Sequence, residues 1–324
     1  QPPRAAARHA PDEFPRRMRQ REIERIARRR VAMPAPDAGA PAHLRDPMLA
    51  ALPPGGGKDR TALVFEAEAL KSLPVGRMFL RCMQQNGRSD RMEQRLGVRP
   101  EQVERVAVSN DVTILGGDFS GVAWPDVFPD ADGRRYGGAT IYDNPNDDGQ
   151  SAYVAALGDG YVLAGRSRAE IEAAIDRMEG RSAETAPAIP DDEAYGEVYG
   201  KVGVEAIARI LDRDEPELAD RLRETAEQID LHADATSDVL LVSDVTGADG
   251  KAVADLGKAF GGALAVGRMG AKSGEDADQN LAELLENARV RPRDDAFGVE
   301  VALPLDLLER ALGPCAKEPD GGAP

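Results

Sequence analysis

Asp230, His232 and Asp234 alternate along the chain in a pattern able to do chemistry. The surrounding apolar alternation predicts a β-strand over Ile229–Ala235, so the three side chains point to one face. An imidazole between two carboxylates suits a divalent metal or a proton transfer. His232 is the only histidine beyond His43. Steps of two residues separate neighbours by about 6–7 Å at a strand rise of about 3.3 Å. One ion could therefore not take all three without ligands from elsewhere, and a solvated sheet face is the competing reading.

Other constellations are weaker. Gly165-Arg166-Ser167-Arg168-Ala169 lies between a predicted strand and a predicted helix, the setting of a nucleophile elbow. Ser167 and Glu170 also form S-x-x-E, the capping box that starts a helix. Gly55-Gly56-Gly57-Lys58 has the look of a phosphate loop, but Asp59 stands where Ser or Thr should bind the metal, so it reads as linker. Asp143–Gly149 is rich in oxygen ligands, yet the twelfth position counted from Asn144 is Ala155 instead of a bidentate Glu. With the acidic turn Asp130–Gly133 it reads either as ordinary turn or as a weak site for calcium or another divalent metal. Trp124, Phe128 and Tyr136 could rim a ligand or pack back onto the sheet. Cys82 and Cys315 read either as a core thiol with an unrelated tail thiol, or as a clasp that requires an oxidising compartment.

The elements that must position these residues follow from periodicity. Pro34–Arg60 reads as linker. Strands are expected at Thr61–Ala67, Val103–Ser109, Val112–Phe119, Gly138–Tyr142, Ala152–Leu157 and Tyr161–Ala164. Helices are expected at Leu70–Gln85, bent at Pro74, at Arg91–Leu96 and at Arg168–Met178. The order then recurs: strand Tyr195–Val202, helices Val204–Leu211 and Glu217–Gln228, hairpin Ile229–Ala235 with Val239–Thr246. Helices Lys251–Leu264 and Asp278–Ala288, strand Phe297–Leu303 and helix Leu305–Leu312 complete the chain. Turns too short for crossover helices argue for antiparallel sheet. The expected fold is α+β, two similar lobes (61–185 and 191–314) of antiparallel sheet with helices packed on one face. A flexible tail (315–324) ends the chain.

Charge is divided unevenly. Residues 1–60 hold thirteen Lys/Arg against seven Asp/Glu, net +6, and the other 264 residues hold 28 against 50, net −22. The basic arm, disordered apart from a helix over Phe14–Val31, reads as a tether or docking segment for a protein partner or envelope component. The acidic body repels nucleic-acid phosphates. No run reaches the length of a transmembrane segment. A start at Gln1 without a signal-type hydrophobic run fits a mature exported protein, placing it outside the cytoplasm. The leading expectation is a non-enzymatic exported or cell-envelope interaction protein. The alternatives are a hydrolase using His232 with nearby carboxylates, and a calcium-stabilised module.

Overall fold

The computed structural model describes residues 46–54, 57–143, 152–182, 188–190, 193–236, 238–273 and 279–316. The arm before Asp46, the oxygen-rich run after Asp143 and the tail after Ala316 lie outside the described residues. The first half runs α1 (Pro47–Ala51), β1 (Ala62–Phe65), α2 (Ala67–Ser72), α3 (Pro74–Gln85), α4 (Arg88–Leu96), β2 (Val103–Ser109) and β3 (Val112–Gly117). It continues with α5 (Trp124–Val127), β4 (Arg134–Tyr136), β5 (Ala139–Asp143), β6 (Tyr153–Leu157), β7 (Tyr161–Gly165) and α6 (Arg168–Met178). The second half holds β8 (Val198–Lys201), α7 (Val204–Leu211), α8 (Pro216–Thr225), β9 (Gln228–Asp234) and β10 (Val239–Thr246). It ends with α9 (Gly250–Ser273), α10 (Gln279–Glu286), β11 (Ala288–Pro292), β12 (Ala296–Leu303) and α11 (Leu305–Leu312). Among the described residues no helix is long and apolar enough to cross a membrane.

Local chemistry sets these boundaries. Leu73 is extended because the residue before a proline avoids the α region, and Pro74 opens α3 at the position where its missing N–H is harmless. The expected bend is therefore a break between α2 and α3. Gly97 ends α4 at φ 65° with its N–H on the Glu93 carbonyl. In α6, Ile171, Ala174, Ile175 and Met178 are buried at helical spacing.

Among the described residues the two halves form one antiparallel sheet of twelve strands, ordered β11-β12-β10-β9-β8-β1-β2-β3-β7-β6-β5-β4. They join edge to edge where β1 pairs β8, with Val64 opposite Tyr199. From that seam β2 and β3 step outward on one side, β9 and β10 on the other. A single cross-strand row spans all twelve strands: Arg289, Glu300, Val242, His232, Tyr199, Val64, Ala107, Ile114, Leu163, Ala155, Ile141 and Arg134. Directly opposed residues share a face, so this row defines the front of the sheet.

On the front, α1 and α6 pack Met48, Leu49, Ile171 and Ile175 onto Val64, Ile114, Ile141 and Leu163. On the back, α7, α8 and α9 cover Ile229, Val245 and Phe297. Also on the back, Met92 and Leu96 of α4 join Leu115, Val154 and Val162. The linker expected over Pro34–Arg60 thus contains a core element, because Met48, Leu49, Ala51 and Leu52 are buried. α1 was too short to register in the periodicity of the sequence.

Cys82 in α3 and Cys315 in the 3₁₀ turn Gly313–Ala316 are bonded, with Cα atoms 4.8 Å apart across a sequence separation of 233. Cys315 therefore belongs to the folded body and not to a tail. Such a bond closes a long loop and restricts the unfolded chain. Replacing both cysteines by Ser is expected to remove about 2–5 kcal/mol of stability in denaturant titration. An unchanged midpoint would show that packing alone holds the C-terminus.

Candidate functional site

Asp230, His232 and Asp234 lie on β9 and share the front face, as the alternation requires. His232 is buried and stacks on Tyr195, ring centroids 3.9 Å apart and planes within 1°. Its Nδ1 lies 3.2 Å from the Tyr195 carbonyl, which can only accept, so that nitrogen donates. Burial pushes the His232 pKa down, opposed by the Tyr195 hydrogen bond and the charges of Asp230 and Asp244. The two carboxylates turn elsewhere. Asp230 accepts from Gln228 Nε2 at 2.8 Å through both oxygens. Asp234, 3% exposed, accepts from the Thr236 amide at 2.9 Å and hydroxyl at 2.7 Å. The strand therefore presents three side chains on one face, each held by a different partner. Among the described residues no group of three or more His, Cys, Asp and Glu could hold a metal ion.

The remaining candidates occupy structural positions. Ser167 is the N-cap of α6 and accepts from the Glu170 amide at 3.4 Å, the capping function its S-x-x-E pattern implied. Lys58 donates to the Arg223 carbonyl at 2.8 Å, fastening the chain ahead of β1 to the end of α8. Trp124 stacks on Phe128, and Phe128, 5% exposed, packs on Tyr142 at 5.0 Å. The Tyr136 hydroxyl donates to Asp176 at 3.0 Å while Arg181 sits over its ring. The aromatic loop thus packs onto the sheet and α6.

One polar centre was not foreseen. Arg105, side chain 18% exposed, stands on the front of β2 just past a register shift between Val103 and Arg105. It donates to Glu66 Oε1 from Nε at 2.9 Å and Nη2 at 2.7 Å, and pairs with Asp46 through Nη1. The Tyr199 hydroxyl donates to the same Glu66 oxygen at 2.8 Å. Burial works against the Arg105 charge, but Glu66 and Asp46 more than reverse it, so its pKa is raised. Burial, with Glu66 and Asp46 close by, raises the Tyr199 pKa as well. Asp46 also caps α1 through Oδ1, 3.0 Å from the Met48 amide. The centre therefore ties α1, β1, β2 and β8 together across the seam of the two halves. An arginine within an alternating strand was its visible signal. Its partners come from positions 46, 66 and 199, which nothing local connects.

This geometry defines a disulfide-closed α+β protein built on one antiparallel sheet. No protein-family model matches the chain, and no curated protein matches it. Among solved structures it is similar to TP0453 in crystal form I, at 12% identity and a TM-score of 0.47, covering 79% of this chain and 92% of that one. TP0453 in crystal form III gives 13% identity and a TM-score of 0.48, with 78% and 92% covered.

Two outcomes follow. Arg105→Met leaves Asp46 and Glu66 partly buried without their cation and is expected to cost about 3–5 kcal/mol in chemical denaturation. A loss under about 1 kcal/mol would mean that water screens the carboxylates as at an exposed pair. The depressed His232 pKa means that the unfolded chain binds a proton the folded one resists. Stability is then lost as pH falls below about 6.5, the ordinary histidine value. His232→Phe, which preserves the stack, should flatten the fall in melting temperature between pH 7.5 and 5; parallel profiles would remove His232 as its source.

Proposed function

We propose that this chain is a non-enzymatic binding protein of an extracytoplasmic compartment, exported or attached to the cell envelope. The observation that carries the reading is the Cys82–Cys315 bond. Disulfides that close a fold persist where the surroundings are oxidising and are rare in the reducing cytosol. The positions of the candidate catalytic groups support a binding role. Ser167 caps α6, and His232 is held between Tyr195 and the sheet. Docking to a protein partner or envelope component runs through the basic arm within residues 1–60, of which the part ahead of Asp46 holds eleven Lys/Arg against five Asp/Glu and opposes the acidic body.

Alkylation in intact native cells tests the compartment. Both cysteines should resist a thiol reagent until a reductant is added; thiols that react at once would overturn the extracytoplasmic reading. Affinity purification of the full chain against one starting at Asp46 tests the docking. A stoichiometric partner retained only by the full chain is expected at equal melting temperatures. Equal retention by both chains would remove the arm from the contact.

A further inference from the structure

Charge is also uneven within the folded body. From Lys71 to Arg99 there are seven Lys/Arg and two Asp/Glu, net +5, on a chain of net charge −16. From Asp212 to Glu227 there are seven Asp/Glu and three Arg, net −4. Each region carries an exposed helical row.

On α4, Arg88, Arg91 and Arg95 are exposed and rim a shallow open groove floored by Met92 and Leu96. Arg91 donates to the carbonyls of Gly87 and Asn86 at 3.3 and 3.2 Å, which holds it beside the turn. The acids of this helix are Asp90 and Glu93. On α8, Glu217, Asp220 and Glu224 are exposed at the same spacing, three residues and then four. Arg221 is exposed beside them, and Asp220 accepts from Arg223 at 3.1 Å. Each row spans about 10 Å at a rise of about 1.5 Å per residue.

The two rows cannot meet within one molecule. The core residues of α4 pack with β2, β3, β6 and β7, whereas α8 packs over β9, β10 and β12. Strands β1 and β8 intervene. Three strand spacings separate β2 from β9, about 14 Å at about 4.8 Å each. A cationic row and an anionic row of matched pitch, held apart on one sheet, can face each other between two molecules.

We propose that this chain associates with a second copy of itself, the α4 arginine row of one molecule seating on the α8 acidic row of the next. Guanidinium groups form forked hydrogen bonds to carboxylates, so the rows can interlock and not merely attract. The contact uses different surfaces on the two copies and leaves one of each free, so it extends head to tail into rings or short chains. Exposed ion pairs are individually weak and screened by salt. The association is therefore reversible and favoured at low ionic strength. It does not depend on the compartment or on what the arm binds.

Sedimentation velocity on the full chain is the test, over a range of concentrations at about 0.05 M and about 1 M salt. The sedimentation coefficient should rise with concentration at low salt and return to the monomer value at high salt. Arg88→Glu with Arg95→Glu, and separately Glu217→Lys with Glu224→Lys, should each give monomers. An equimolar mixture of these two variants should associate, and so should one chain carrying all four reversals, because both restore opposite charges. A full chain that stays monomeric throughout overturns the proposal and leaves the arginine row to an acidic partner of another kind. Association that survives either pair of reversals overturns it too. So does a mixture of folded variants, melting as the parent does, that fails to associate.

Discussion

The pairing of β1 with β8 is the constraint on which the rest of the structure depends. Among the described residues, these short strands make the strand pairing that joins the two halves of the sheet. Their contact is close enough that a Cβ at Gly200 would lie 2.0 Å from the Ala62 carbonyl oxygen, and Gly200 sits at φ 134°. Only glycine tolerates both conditions. Because β1 and β8 are in register, every strand outward from them inherits that register. A continuous row from Arg134 to Arg289 results, and with it a front face common to both halves. A slip of one residue at the seam would exchange front and back for an entire half.

Along that front face the chemistry changes from one end to the other. From Val64 to Ile141 the row is apolar and lies under α1 and α6. On the β9 side it holds His232 and Glu300, the latter 2% exposed and paired with Arg291 at 2.9 Å. The Arg105 centre stands where the two environments meet. A buried guanidinium with two carboxylates contributes little net stability over an apolar replacement, but breaking it strands charge in a low dielectric. Such a centre is better suited to fixing geometry than to adding stability. It anchors Asp46, which also caps α1. On the back of the sheet, the Cys82–Cys315 bond fastens the C-terminal turn to α3.

The sequence was most legible where interactions are local. The limits of α6, α7, β10 and α11 follow from capping, helical spacing and alternation within a dozen residues, and Ser167 could be recognised as a cap from Glu170 alone. The short elements were not legible. Residues 47–51, 124–127 and 134–136 hold too few positions to show a period, and α1 is defined by burial against α6 and the sheet. α9 extends to Ser273, nine residues past the expected end, and α10 then packs against it. Alternation placed Asp230, His232 and Asp234 on one face, but it carried no information about Tyr195, Gln228 or Thr236, the groups that hold them.

By itself the sequence determined the α+β class, the antiparallel hairpins, the division of charge and the shared face of the β9 residues. Each of these depends on periodicity or composition, which near neighbours settle. Tertiary structure decided that the two halves share one sheet, that Cys82 meets Cys315, and that Asp46, Glu66, Arg105 and Tyr199 form one centre. These contacts join positions up to 233 residues apart. They exist because strand pairing and burial of apolar faces bring those positions together, and no local preference along the chain encodes which distant partner each will find.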